Sequence, residues 1–169
     1  MDASIGNTGH FVGIELLPDN CEVMARNFAE NGFDNAVIVP EGVWNEPGRI
    51  EVMGRGRQRH TLVDIDEGRL SDATGYLAPV NPLDDILARF LPADAVIDFM
   101  YMSVNGAEIE ALDGLEDWAE RIRAIYVAAN YERDGLETVG RVRAQLADLG
   151  FEVTNTSGRR NPIGLRNVD

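Results

Sequence analysis

An α/β fold with a mostly parallel sheet is what this sequence predicts, and three observations carry the prediction. Strand-like and helix-like patterns alternate along the chain, which is the signature of helices packed on a parallel sheet. The length, 169 residues, gives room for one sizeable core, so residues 1–169 are expected to form a single domain, with 1–9 as a loop or tail. No internal repeat or low-complexity segment interrupts the alternation.

Taken in order, residues 10–17 (HFVGIELL) read as a short buried strand ending at Pro18. Asp19 and Asn20 then offer N-cap side chains to a helix running to about Asn31, with Val23, Met24, Asn27 and Phe28 along one face and Gly32 as its stop. Residues 36–39 (AVIV) form the next strand, followed by a turn over 41–45 and a half-exposed strand over 49–53 (RIEVM). Residues 54–76, irregular and rich in glycine and charge, read as a long surface loop. Asn81 and Pro82 open a helix through Phe90, with proline near the first turn. Residues 95–102 (AVIDFMYM) are the most strand-like stretch and are expected at the centre of the sheet. A helix over 106–112 and a strand over 124–129 follow, then an amphipathic helix over 139–149. A strand from Phe151 closes the chain, with 163–168 as its antiparallel partner.

The charge balance excludes several partners. The net charge is −14, and all 15 strong positive charges are arginines, with no lysine. Such a field repels nucleic acid and anionic membranes, so neither is expected as a partner. A high-salt cytoplasm, where screening tolerates self-repulsion, and a GC-rich genome both account for lysine-free acidity. No apolar run reaches the length of about 18 residues that a membrane span needs, and the N-terminus has no secretory pattern. Cys21 is the single cysteine, so an internal disulfide is impossible. With only two histidines, far apart, no metal-ligand cluster is visible. A cytoplasmic protein is expected.

Four stretches, in order, resemble the FkbM family of methyltransferases. The first is Val12-Gly13-Ile14-Glu15 with Pro18, Asn20, Asn27, Asn31 and Gly32, similar to the family's second strand, its acidic end and the following helix. The second, from Asn81 to Leu87, resembles "TLDDLL". The third, Met102-Ser103-Val104-Asn105-Gly106-Ala107-Glu108 followed by Leu112 and Gly114, resembles "KIDVEGAE…L.G". The fourth, 146–153 (LADLGFEV), is similar to the closing "L…LGY.V". The resemblance implies a Rossmann-like class I methyltransferase sheet with an antiparallel C-terminal strand, S-adenosylmethionine as cofactor and a hydroxylated small molecule, such as a sugar, as substrate.

Two departures from the family pattern shape the expectations. Gly6 in residues 2–9 (DASIGNTG) precedes Glu15 by nine positions, whereas a glycine loop precedes the ribose-binding acid by about 20 residues. No helix fits between them, so the usual first strand and glycine loop are expected to be missing. The chain is then either a fragment or a shortened variant whose exposed sheet edges pair anew or make a homo-oligomer. Secondly, Ser103 and Asn105 stand where the family carries an aspartate and a glutamate, and Tyr101 replaces a lysine.

Within the resemblance, Glu15 is the candidate acceptor for both ribose hydroxyls and Glu41 for the adenine amino group, both as cofactor-binding residues. Ser103, on the cofactor side, and Asn105, on the substrate side, lie where cofactor and acceptor would meet; both residue types also favour turns. His60, beside Arg55, Arg57 and Arg59, is a candidate substrate contact, since histidine titrates near neutrality and arginines bind anions. A solvated loop is the plainer account of that segment. Glu108 and Glu110 suit a helix start through the helix dipole alone, and the 131–134 segment has no specific signal. An alternative to the enzyme is a catalytically inactive remnant of the same fold, serving as a binding or assembly module. A nucleotide-binding protein of another kind lacks a phosphate loop here.

Overall fold

The computed structural model describes residues 9–53, 61–63, 76–129, 131–133, 135–155 and 161–168. The chain divides into two compact units, Met1–Gly42 and Val43–Asp169.

The first unit is a strand–helix–strand crossover. Strand β1 (Phe11–Ile14) leads into helix α1 (Pro18–Glu30), which returns to β2 (Ala36–Val39). The two strands pair in parallel, Phe11 opposite Ala36 and Ile14 opposite Val39. Leu17, in extended conformation, is the N-cap of α1, and Pro18 fills its first turn, where its missing N–H is not needed. The expected caps therefore do not form. Proline sets the start early enough that Asp19 and Asn20 are already helical, and Asn20 Nδ2 instead donates to Glu15 Oε2 at 3.1 Å. No residue of α1 is fully buried. Along its expected apolar face Met24 and Phe28 are half-buried, while Val23 and Asn27 are exposed. Phe28 meets Phe11 edge-on with ring centres 5.1 Å apart, and Phe33 at 6.2 Å.

The second unit holds most of the core. Strand β3 (Gly42–Val43) crosses the boundary; β4 (Gly48–Met53), β5 (Thr61–Val63), β6 (Tyr76–Asn81), helix α2 (Leu83–Phe90) and β7 (Met100–Met102) follow. Then come α3 (Glu108–Asp113), a 3-10 turn (Ala119–Arg121), β8 (Ala124–Val127), β9 (Glu132–Arg133), β10 (Leu136–Glu137), α4 (Val139–Asp148), β11 (Glu152–Asn155) and β12 (Pro162–Leu165). One sheet runs β3-β6-β4-β5, another β11-β12-β8-β7, and β9 and β10 form a hairpin.

The expectation of a mostly parallel sheet is corrected to mixed sheets. Parallel pairing occurs at β1–β2 and β7–β8, whereas β4–β5, β4–β6, β8–β12 and β11–β12 are antiparallel. The reason is connection length. β11 and β12 are joined by a short return that only antiparallel strands allow, and β12 then lies antiparallel to β8 as well. The stretch read as a loop over 54–76 contains β5 and the first residue of β6, whose β-branched and aromatic residues override the surrounding glycine.

A second correction concerns the 95–102 segment. Only its last three residues form β7, with Ile97 making a single parallel bridge to Ile122. Among the described residues β7 ends its sheet order rather than occupying the centre. Phe99, just before β7, is 59% exposed and Tyr101 64%, and Tyr101 stacks on Tyr126 of β8 with ring centres 5.3 Å apart.

The core of this unit sits between the helices and the sheets. Leu83, Ile86 and Leu87 of α2, Ile109 and Leu112 of α3, and Val142 and Leu146 of α4 are buried with Ile122, Ile125 and Val127. Two details fix the loop after α3. Asp84 accepts three successive backbone N–H groups, from Glu116 (2.8 Å), Asp117 (2.8 Å) and Trp118 (3.0 Å). Gly114 lies so close to the backbone that an added Cβ would sit 2.5 Å from the Trp44 carbonyl oxygen.

Candidate functional site

Of the five candidate residues, Glu15 lies on the corner from β1 to α1, Glu41 lies between β2 and β3, and Ser103 and Asn105 lie on the corner from β7 to α3. In the first unit, Glu15 immediately follows β1. Its backbone N–H donates to Val39 O at 3.1 Å, and the backbone N–H of Glu41 donates to the same carbonyl at 2.9 Å. Both carboxylate residues are therefore brought to the carboxyl end of the parallel pair, each half-buried. That end is where α/β folds bind ligands, because the strands stop there and the loops open.

The Glu15 carboxylate is already oriented. Its Oε1 accepts the Leu17 N–H at 2.8 Å and its Oε2 accepts from Asn20. An ionised carboxylate offers about four acceptor positions, so each oxygen retains one for a ligand hydroxyl. This geometry fits the ribose of S-adenosylmethionine. Cys21 Sγ donates to Glu15 O at 3.2 Å, and burial together with the Glu15 charge pushes its thiol pKa up, so it stays a thiol.

The corner of the second unit follows β7. Asn105 has φ +52° and Gly106 φ +103°, the pair of positive values that a type I′ turn requires and that Asn-Gly supplies best. The turn is closed by the Ala107 N–H donating to Val104 O at 3.3 Å. Asn105 is exposed on it, and Ser103, just before it, is exposed too.

Glu108 was assigned only to the helix dipole on sequence, and the structure gives it a larger role. It is fully buried, at 0% exposure, and its Oε1 accepts the Gly106 N–H at 3.1 Å. Oε2 has no partner among the described residues. Burial pushes its pKa up, partly opposed by backbone N–H groups of Gly106, Glu108 and Val104. Tyr131 is the second residue missed: its hydroxyl donates to Asn105 Oδ1 at 2.6 Å. On sequence Glu108 closes the stretch similar to "GAE", where the helix dipole alone accounts for it. No sequence signal singles out Tyr131, which lies 26 positions from its partner.

His60, with Arg55, Arg57 and Arg59, lies outside the described residues. A cleft of about 220 Å³ lined by Ala88, Leu91, Ala93, Asp117, Trp118 and Arg121 includes none of the candidates and belongs to neither corner. Among the described residues no cluster of three or more His, Cys, Asp or Glu side chains suits a metal ion, and no helix is long and apolar enough to cross a membrane.

A crossover with carboxylates at the end of its parallel strands, and a separate turn offering neutral polar groups, define an α/β protein whose candidate residues sit at strand ends. The model of the methyltransferase FkbM domain matches residues 1–153, and the chain belongs to that family. Its fold is similar to that of a methyltransferase FkbM from Methylobacillus flagellatus KT, with a TM-score of 0.54 and 17% identity over 93% of this chain. The match spans 36% of that protein's length. No curated protein matches the chain.

Proposed function

We propose that this chain acts as an S-adenosylmethionine-dependent methyltransferase with a Rossmann-like core, transferring a methyl group to a hydroxyl of a sugar or other hydroxylated small molecule. The observation that carries this reading is the convergence of Glu15 and Glu41 on Val39 O at the carboxyl end of β1 and β2. The cofactor supplies an electrophilic methyl on a sulfonium, so the protein contributes mainly positioning and electrostatics. Glu15 accepts the ribose hydroxyls with the two acceptor positions left by Leu17 and Asn20. Glu41 accepts from the adenine amino group. Ser103 contacts the cofactor and Asn105 the acceptor molecule, while His60 is a substrate contact on sequence grounds alone.

The exposed side chains of the Asn105 corner are neutral, and this favours a second reading, a non-catalytic binding or assembly module of the same fold. Calorimetric titration of S-adenosylmethionine into the chain, Glu15→Ala and Glu15→Gln, at low and high salt, separates the two. Micromolar binding that Glu15→Ala abolishes is the expected result, with circular dichroism showing both variants folded. Absence of binding by the unaltered chain at either salt concentration overturns the enzyme and leaves the module.

A further inference from the structure

We infer that Tyr131 is a positioning residue that turns the Asn105 carboxamide so that its N–H groups meet an uncharged oxygen of the substrate. This rests on the reading of Asn105 as a substrate contact and adds to it the orientation and the chemistry of that contact.

The Tyr131 hydroxyl donates to Asn105 Oδ1 at 2.6 Å. A carboxamide is planar, so fixing its oxygen also fixes its nitrogen on the opposite side. Asn105 Nδ2 has no partner among the described residues, and the side chain is exposed. Two donor hydrogens are therefore held in a set direction, open to solvent, two residues beyond the exposed Ser103.

Tyr131 is itself held on three sides. Its carbonyl oxygen accepts both the N–H (2.8 Å) and the hydroxyl (3.1 Å) of Thr138, which is buried at 2% exposure. Its ring lies over Gly106, where a Cβ would meet Cγ and Cδ1 at 3.7 Å. Two residues on, Arg133 pairs with Glu110 of α3 at 2.6 Å, so the β9–β10 hairpin is tied to the same helix whose start the Asn-Gly turn forms. An Asn-Gly turn needs none of this to exist. The tether orients the side chain beyond what the backbone demands.

Charge sets the class of group recognised. Glu108 lies buried next to the turn with Oε1 on the Gly106 N–H, and Arg133, on the same hairpin segment as Tyr131, is paired with Glu110. Among the described residues Asn105 has no cationic partner, so an anionic substrate group at Nδ2 would face the Glu108 field without a counter-charge from them. Burial and that same Glu108 charge push the Tyr131 pKa up, so the hydroxyl stays protonated and keeps its sense as donor. The arrangement suits a hydroxyl or carbonyl oxygen and disfavours a carboxylate or phosphate.

The test uses the full chain labelled with ¹⁵N, with the Asn105 side-chain amide assigned by its loss in Asn105→Asp. Methyl α-D-glucopyranoside and D-glucuronate serve as neutral and anionic probes. In the unaltered protein the glucoside is expected to shift the Asn105 amide pair, and glucuronate to bind at least about tenfold more weakly. Tyr131→Phe keeps the ring over Gly106, and circular dichroism reports that it is folded. It is expected to average the two amide hydrogens toward solvent values and to weaken glucoside binding about five- to tenfold, the loss of one hydrogen bond's worth of ordering. An Asn105 amide pair unchanged in Tyr131→Phe overturns the positioning role. An amide pair that no glucoside concentration moves in the unaltered protein overturns the substrate contact itself, and glucuronate binding as tightly as glucoside overturns the preference for an uncharged oxygen.

Discussion

Each unit turns from strand to helix around a glutamate, yet the two glutamates are placed under opposite conditions. After β1, Glu15 is half-buried and the helix that follows has no fully buried residue. After β7, Glu108 is fully buried and α3 carries Ile109, Ala111 and Leu112 into the core beside it. Both carboxylates accept a backbone N–H two residues away, Leu17 and Gly106 respectively. What separates them is water. Glu15 satisfies its local bonds and keeps acceptor positions facing outward, whereas Glu108 Oε2, fully buried, has no partner among the described residues. One carboxylate is half open to solvent, and the other is buried against a turn.

The most damaging way to break the second unit is at a third carboxylate. Asp84→Ala removes the acceptor for three backbone N–H groups and is expected to cost about 3 kcal/mol, since bonds to a charged acceptor contribute about 1.5–3 kcal/mol each and the exposed donors recover water. Urea unfolding should show a lower midpoint with an unchanged slope. Next comes Glu108→Ala, expected to cost about 2 kcal/mol. The Gly106 N–H loses its acceptor and a cavity remains, partly offset by relief of a buried carboxylate. A variant as stable as the parent would show that the turn holds without it.

A pH series sharpens the contrast between the glutamates. The Glu108 pKa is raised above its ordinary value of 4.5, so the unfolded state loses its proton first as pH rises. Stability from this group is fully present below that ordinary value and is lost as pH climbs through the raised folded one. Glu108→Gln keeps an oxygen acceptor and removes the titration. Its melting temperature relative to the parent should therefore rise with pH across that window, and a flat difference would dispose of the assignment. The smallest effect belongs to the exposed corner. Glu15→Ala should cost only about 0.5–1 kcal/mol, because the Leu17 N–H can turn to water, although it is expected to abolish cofactor binding. A stability loss as large as that of Asp84→Ala would mean that Glu15 is structural and not held for a ligand.

The order of elements was legible in the sequence wherever an apolar pattern was bounded by glycine or proline. The strand at 36–39, the helix ending at Phe90 and the helix from Val139 appear as expected, because each obeys one period and has a stop. The boundaries slipped where the chain's own chemistry competes. Pro18 took the helix start from Asp19 and Asn20, and the 95–102 run shrank to β7 because its first half forms a turn at Ala95 and one bridge at Ile97. Of the candidate residues, Glu15 and Glu41 follow the paired strands β1 and β2, and Ser103 directly precedes the turn that holds Asn105. The roles of Glu108 and Tyr131 were not legible, because one depends on burial and the other on a partner 26 positions away.

By itself, then, the sequence determined the alternation of strands and helices, the Asn-Gly turn and the placement of acids at strand ends, since periodicity, φ preference and chain order are local properties. Only the tertiary structure decided which strands pair antiparallel, which glutamate meets water and which tyrosine restrains Asn105. Those outcomes depend on what is packed against each residue, and dielectric and hydrogen-bond partners come from across the fold rather than along the chain.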